Sequence, residues 1–317
     1  MTGLRLVVVG LGRQGRRLAA VAARLDGVSD VILVDPALNE LDGRPVHEDI
    51  DAALAAGGAD GALVAVPTRL HEAVASELLE RGIPTFVEKP LAADADAAAR
   101  LCGLSESSVV PLWVGHVERF NPAVGLVKEL IESGRVGRAI ELSFRRLGLP
   151  PSDPDVDVVH DLAVHDIDIF AWIAGSRPRL IGSNRWPQQG LAEAAQLLLR
   201  AGDVNGSVQV NWRTPVRVRD FTVTTDACVI EVNYTTQAVE LIEPSEPEQF
   251  DEFAVFQSHY GSALKRRFET RTSEPIVDEI RALVAALRGA DPDPRLATAA
   301  DGAAAVAVAD QATAGDA

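Results

Sequence analysis

Three groups of residues in this chain have types and spacings that could do chemistry. The first is Gly10-Leu11-Gly12-Arg13-Gln14-Gly15, which fits the pattern G-x-G-x-x-G. In that pattern Gly10 allows a tight turn, Gly12 lets the backbone approach a pyrophosphate, and Gly15 lets a helix pack on a strand. The helix start behind such a loop offers unpaired N–H groups and the positive end of its dipole to phosphates. Asp35 follows twenty residues after Gly15. A carboxylate there accepts from ribose hydroxyls and repels a 2′-phosphate, so the pattern favours NAD over NADP. A bare turn with a capped strand is the competing reading, and the surrounding strand and helix disfavour it.

The second group is Glu88-Lys89-Pro90, delivered by the short strand Thr85-Phe86-Val87. Ligands bind at the carboxyl ends of strands in open α/β sheets, and Pro67, Thr68 and His71 should share that rim. Lys89 could polarise a carbonyl, hold a substrate hydroxyl, or act as a base if desolvated. It could also be a surface lysine paired with Glu88. Only three of the 30 basic residues are lysines (Lys89, Lys128 and Lys265), as in a high-GC genome that writes Arg wherever Arg will do. A lysine that persists in this background is a candidate for chemistry.

The third group lies in the run Val158 to Ile173, apolar nearly all round and so read as a largely buried helix. Asp161, His165 and Asp168 recur at i, i+4 and i+7, which places them on one face. Burying such groups unpaired costs roughly 2–7 kcal/mol each. An imidazole held between two carboxylates would have a fixed tautomer and a raised pKa, suited to taking an alcohol proton. A self-satisfied core network is one alternative. A metal site using His160 or Asp161 with His165 is another, but the spacing fits no standard zinc motif and no Cys joins it, so no metal is expected.

These groups need elements to position them. Leu4 to Val9 is a continuous apolar run, the mark of a strand covered on both faces. A helix over 14–25, strands at 31–34 and 62–66, a helix over 71–81 and the strand at 85–87 follow in alternation, which predicts a parallel sheet with right-handed crossovers. Beyond about residue 120 the period changes to two. Ile140, Leu142 and Phe144, then Val208, Val210 and Trp212, alternate with polar residues, and strands are expected at 218–224, 228–234 and 237–242. Helices fall at about 158–174 and 275–289, the stretch 243–273 fits no pattern, and the Ala-rich tail from Ala297 to Ala317 reads as a fraying helix. The fold class is therefore α/β plus α+β: a Rossmann domain over 1–120 with a parallel sheet, and a second domain over 121–317 with an open, mostly antiparallel sheet for substrate and self-association.

Composition narrows the partners. A formal net charge of -16 argues against nucleic acid and anionic membranes, since phosphate binding needs clustered Lys and Arg. Cys102 and Cys228 form no disulfide framework. The apolar runs are strand-length and the N-terminus lacks a signal-peptide pattern, so a cytoplasmic protein is expected. The polar face of the second sheet suggests a homo-oligomer, a dimer or tetramer.

In order along the chain, the glycine loop, Glu88-Lys89-Pro90, Gly115-His116-Val117-Glu118-Arg119-Phe120-Asn121-Pro122 and Asp161-Leu162-Ala163-Val164-His165-Asp166-Ile167-Asp168 together resemble the Gfo/Idh/MocA oxidoreductases over essentially the whole length. The resemblance implies a substrate cleft between the two domains, with Lys89, Asp161 and His165 as the catalytic group and His165 as the base. The motif from Gly115 onward looks most like the UDP-N-acetylglucosamine 3-dehydrogenases, although Arg145 to Pro151 only partly follows their pattern. By this reading Leu11, Arg13, Gln14, Pro67, Thr68, His71, Glu88 and Lys89 join the glycines and Asp35 around NAD. Lys89, Arg119, Asn121, Asp161 and His165 would meet a sugar or sugar-nucleotide substrate, and Arg119, Arg145 or Arg146 could meet a diphosphate or carboxylate. The expected reaction is hydride transfer between NAD and a secondary alcohol or its ketone. Alternatives on the same scaffold are an imine reductase, an NAD-recycling glycosidase, or a non-catalytic NAD or sugar sensor.

Overall fold

The structure, a computed structural model, describes residues 3–55, 57–152, 154–187, 189–243 and 265–314. The apolar run Leu4–Val9 forms the middle of an eight-stranded sheet and is buried along Leu6 to Val9. Val28–Val34 pairs with it in parallel on one side and Gly61–Val64 on the other. Thr85–Glu88 and Leu112–Gly115 extend the parallel order. The strand ends at residues 9, 64 and 88 therefore share one edge, which is where the glycine loop and Lys89 emerge.

The second sheet also has eight strands, in the order Lys265–Phe268, Ala238–Ile242, Val229–Asn233, Val218–Thr225, Ala139–Leu147, Val204–Asn211, Ala194–Ala201 and Arg179–Trp186. All its pairs are antiparallel except Val204–Asn211 with Ala139–Leu147. The period-two pattern holds: Leu142, Phe144, Phe221, Val223, Val208 and Val210 turn inward, and the helix Val164–Ala174 covers them. Phe144 stacks on Phe221 at 5.2 Å, and Phe221 meets Tyr234 at 5.1 Å. Lys265–Phe268 falls in the stretch that fits no pattern; the rest of 244–264 lies outside the described residues.

Two expectations are corrected by how the chain ends. The second unit does not run unbroken from 121 to 317, because the chain returns to the first sheet. Helix Pro275–Leu287 buries Ile276, Ile280 and Leu283 in the same cluster as Leu6, Leu18 and Leu63, and Ala297–Thr298 pairs antiparallel with Trp113 and Val114. Nor does the Ala-rich tail fray throughout. Ala299–Thr313 is a helix whose start is fixed by a reciprocal cap between Thr298 and Asp301, and it lies against helices of both domains, Ala95–Ser108 and Val164–Ala174. Its small residues allow the approach: a Cβ on Gly302 would come within 2.7 Å of Val114. Among the described residues no helix is long and apolar enough to cross a membrane.

Candidate active site

The three glycines of the loop are required for three different reasons. Gly10 has a φ of +90°, and a Cβ there would lie 2.7 Å from the backbone of Ala65 and Val66. A Cβ on Gly15 would lie 1.8 Å from the Gly10 carbonyl oxygen, so only glycine lets helix Arg13–Ala22 sit this close to the turn. Gly12 meets nothing within 4 Å. Its missing side chain serves no contact within the chain and leaves the helix start open, which fits a pyrophosphate. Asp35 ends the neighbouring strand beside the loop and accepts from the backbone N–H of Leu11 at 2.8 Å and of Ala37 at 2.9 Å. Arg13 is exposed at the mouth, and Gln14 donates to Glu88 at 2.8 Å, tying the loop to the rim that carries Lys89. Burial raises the pKa of the Glu88 carboxyl, against the Gln14 bond and the Lys89 charge.

Lys89 reaches across to the second domain, where its Nζ donates to the Asp161 carboxylate at 2.9 Å and to the Asp161 carbonyl at 2.8 Å. The other two lysines sit elsewhere, Lys128 on Glu132 and Lys265 on Glu231. Asp161 lies within one π-helical turn, Val159–Ala163, that runs straight into Val164–Ala174. Such turns often mark functional sites, and this one aims the Asp161 carbonyl and carboxylate together at Lys89. His165 opens the regular helix. Its Nδ1 is buried without a partner, whereas part of the ring stays open to solvent.

The expectation of an imidazole held between two carboxylates is corrected. Asp161 binds Lys89, the buried Nδ1 of His165 has no partner, and Asp168 accepts twice from Arg119, at 2.8 and 2.6 Å. The expected rise in the His165 pKa is reversed. Burial first, then the charges of Lys89, Arg146, His116 and Arg219, push it well below the usual histidine value. His165 is neutral at pH 7 and ready to accept a proton.

Two expected substrate contacts are consumed inside the protein. Arg119 is 3% exposed and bridges Asp168 to Asp301, and Asn121 is 3% exposed, capping helix Pro122–Glu132 and donating to the Tyr234 carbonyl at 3.0 Å. His71 is likewise turned toward the protein's own backbone. Buried, it places its ring nitrogens 2.8 Å from the Pro90 carbonyl and 3.0 Å from that of Val66, which clamps the rim beneath Lys89. Pro67 is exposed on that rim, and the backbone N–H of Thr68 donates at 2.7 Å to Asp155 from the second domain. Arg145 pairs with Asp220 on the opposite face of the sheet, and Arg146 is buried on Asp166 and Glu118. Neither is free for a diphosphate.

Sequence reasoning passed over three residues around this cleft. His116 is 2% exposed with both ring nitrogens unpartnered, and it lies near Lys89 and Asp168. Glu279 is buried on Pro275–Leu287, and burial together with Glu88, Asp168 and Glu118 holds its pKa well above the usual carboxylate value. Arg219 faces inward from Val218–Thr225, in step with Phe221 and Val223. A charged residue at an inward strand position was the signal available in the sequence. Among the described residues no three His, Cys, Asp or Glu side chains come together as a metal site.

Residues 4–116 match the model of the Gfo/Idh/MocA family, described as an oxidoreductase family with an NAD-binding Rossmann fold. That match covers 113 of the 317 residues, all in the first domain. An inositol 2-dehydrogenase of Corynebacterium glutamicum is 31% identical over 185 residues, 55% of each chain. The UDP-N-acetylglucosamine 3-dehydrogenase of Acidithiobacillus ferrooxidans is 31% identical over 184 residues, 56% of each chain. The chain thus spans about half the length of the curated relatives it matches. Over the whole molecule the fold is that of the solved A. ferrooxidans enzyme, with a TM-score of 0.80 at 20% identity over 98% of this chain and 97% of that one. Levoglucosan dehydrogenase, solved with NADH and levoglucosan, gives 0.81 at 18% identity over 99% and 98%. The glycine loop lies within the matched residues, which that model describes as an NAD-binding Rossmann fold.

Proposed function

We propose that this chain is an NAD-dependent dehydrogenase that oxidises a secondary hydroxyl of a sugar, cyclitol or sugar nucleotide, or reduces the matching ketone. The observation that carries the reading is the meeting of Lys89, Asp161 and a neutral His165 at the strand ends beside the glycine loop. Gly10 to Gly15 and Asp35 would hold the cofactor, and its nicotinamide supplies the hydride acceptor when bound. His165 takes the hydroxyl proton at Nε2, its ring nitrogen outside the sealed pocket. Lys89 donates from Nζ to the same oxygen as it becomes a carbonyl, and Asp161 holds Lys89 in place for this. The relatives' names, inositol and a UDP-sugar, support the substrate class.

The same reading makes the protein a cytoplasmic homo-oligomer that associates through the outward face of the second sheet, where Ile181 and Leu198 stand more than half exposed; light scattering tests this. For the activity, a panel of inositol, hexoses and UDP- or dTDP-sugars is assayed with NAD and NADP by the absorbance of the reduced cofactor. Turnover with NAD on at least one is expected. Activity confined to NADP would refute the role of Asp35.

A further inference from the structure

In a chain with 46 acidic against 30 basic residues, a half-buried arginine without a carboxylate is an exception. The other cations around the cleft have theirs: Lys89 has Asp161, Arg119 has Asp168 and Asp301, and Arg146 has Asp166 and Glu118. Arg219 has none among the described residues. Its Nη1 donates to the carbonyls of Leu147 and Val218, at 2.5 and 2.7 Å, while Nε and Nη2 meet no protein acceptor there. In the ladder it stands directly opposite Arg146, on the inward face. Like charges so placed normally repel and destabilise a sheet.

We propose that Arg219 anchors an anionic group, a carboxylate or a phosphate, on the substrate whose hydroxyl meets Lys89 and His165. The planar fork of Nε and Nη2 suits two-point binding of such an oxyanion. Arg219 is close enough for its charge to depress the pKa of His165. Burial and the charges of Arg146 and Arg217 pull its own pKa down to about 10 against those of Asp166 and Glu118, with neither of which it forms an ion pair, so the guanidinium keeps its charge at neutral pH. A bound anion would compensate it. The proposal rests on the dehydrogenase reading for where the rest of the substrate lies.

The test is calorimetric binding to the NAD-loaded protein, with glucuronate, glucose 6-phosphate and UDP-glucose as anionic probes, methyl glucoside as the neutral one, and UDP and inorganic phosphate as fragments. At least one sugar anion is expected to bind about tenfold tighter than methyl glucoside, the preference shrinking with added salt. The carboxylate and phosphate arms distinguish the two sources of charge. Arg219→Gln should abolish this roughly tenfold preference and Arg219→Lys should retain part of it, with NAD affinity reporting that both variants are folded. No preference for anions, or a preference that survives Arg219→Gln, would overturn the anchor. If Arg219→Gln does not fold, an anion preference insensitive to salt and to Arg219→Lys overturns it equally. Binding is read without turnover, so Arg219-dependent anion binding with no NAD reduction would sink the dehydrogenase reading alone. Turnover of neutral sugars without anion preference would sink only the anchor.

Discussion

The start and the middle of one helical stretch, Val159 to Ala174, treat their charged residues in opposite ways. Toward its middle, Asp166 and Asp168 are 0% and 2% exposed and fully engaged, Asp166 by Arg146 and Tyr234, Asp168 by Arg119. At its start, Asp161 holds a partly exposed Lys89, His165 has a bare buried nitrogen, and Arg219 forms no ion pair among the described residues. The first arrangement is closed and holds the molecule together. The second is incomplete, and the missing partners are what a substrate and cofactor would supply. Buried polar groups are normally satisfied, so their incompleteness here points to function.

Stability measurements can break this comparison. Arg119→Met leaves the Asp168 carboxylate buried and unpaired and should cost about 3–5 kcal/mol in denaturant unfolding. Lys89→Met removes a partly exposed pair and should change stability by no more than about 1 kcal/mol. Equal losses from the two variants would erase the distinction.

The pH response follows from the depressed pKa of His165. The unfolded chain binds the extra proton between the ordinary value of 6.5 and the lower folded one, so this residue's contribution to stability is complete above pH 6.5 and falls as pH drops through that window. His160, whose pKa is raised on balance by Asp157 and Asp310 against burial, pulls the other way, so the His165 share is the difference between wild type and His165→Asn. That variant should lose less stability on acidification than wild type, the remainder coming from His71 and His116, which burial also holds below the usual histidine value. In catalysis the acid limb of kcat/KM should lie well below pH 6.5, and a limb near neutrality would contradict the account.

The smallest structural effect belongs to Gly12→Ala. Its Cβ meets no protein atom, so the unliganded protein should keep its stability to within about 0.5 kcal/mol while NAD affinity falls. Unchanged NAD binding would remove the loop from the cofactor site.

Much of this was legible in the sequence because the signals were local. Period and turn residues located the strands around the glycine loop, and Lys89 stood out by rarity and position. Chain return was not legible, because Pro275–Leu287 and Ala297–Thr298 carry no mark of which sheet they join. Equally hidden were the different partners of Asp161 and Asp168, since Lys89 and Arg119 come from segments far away in sequence. The direction of the His165 shift came first from burial and then from the charges of Lys89, Arg146, His116 and Arg219, which only the tertiary fold brings together.

The most direct test compares turnover per bound NAD in wild type with that in His165→Ala and Lys89→Ala, NAD affinity being titrated in parallel. Both variants should bind NAD normally and lose about 10²–10⁴-fold in turnover. Loss of NAD affinity in both, with turnover per bound cofactor unchanged, would contradict the account.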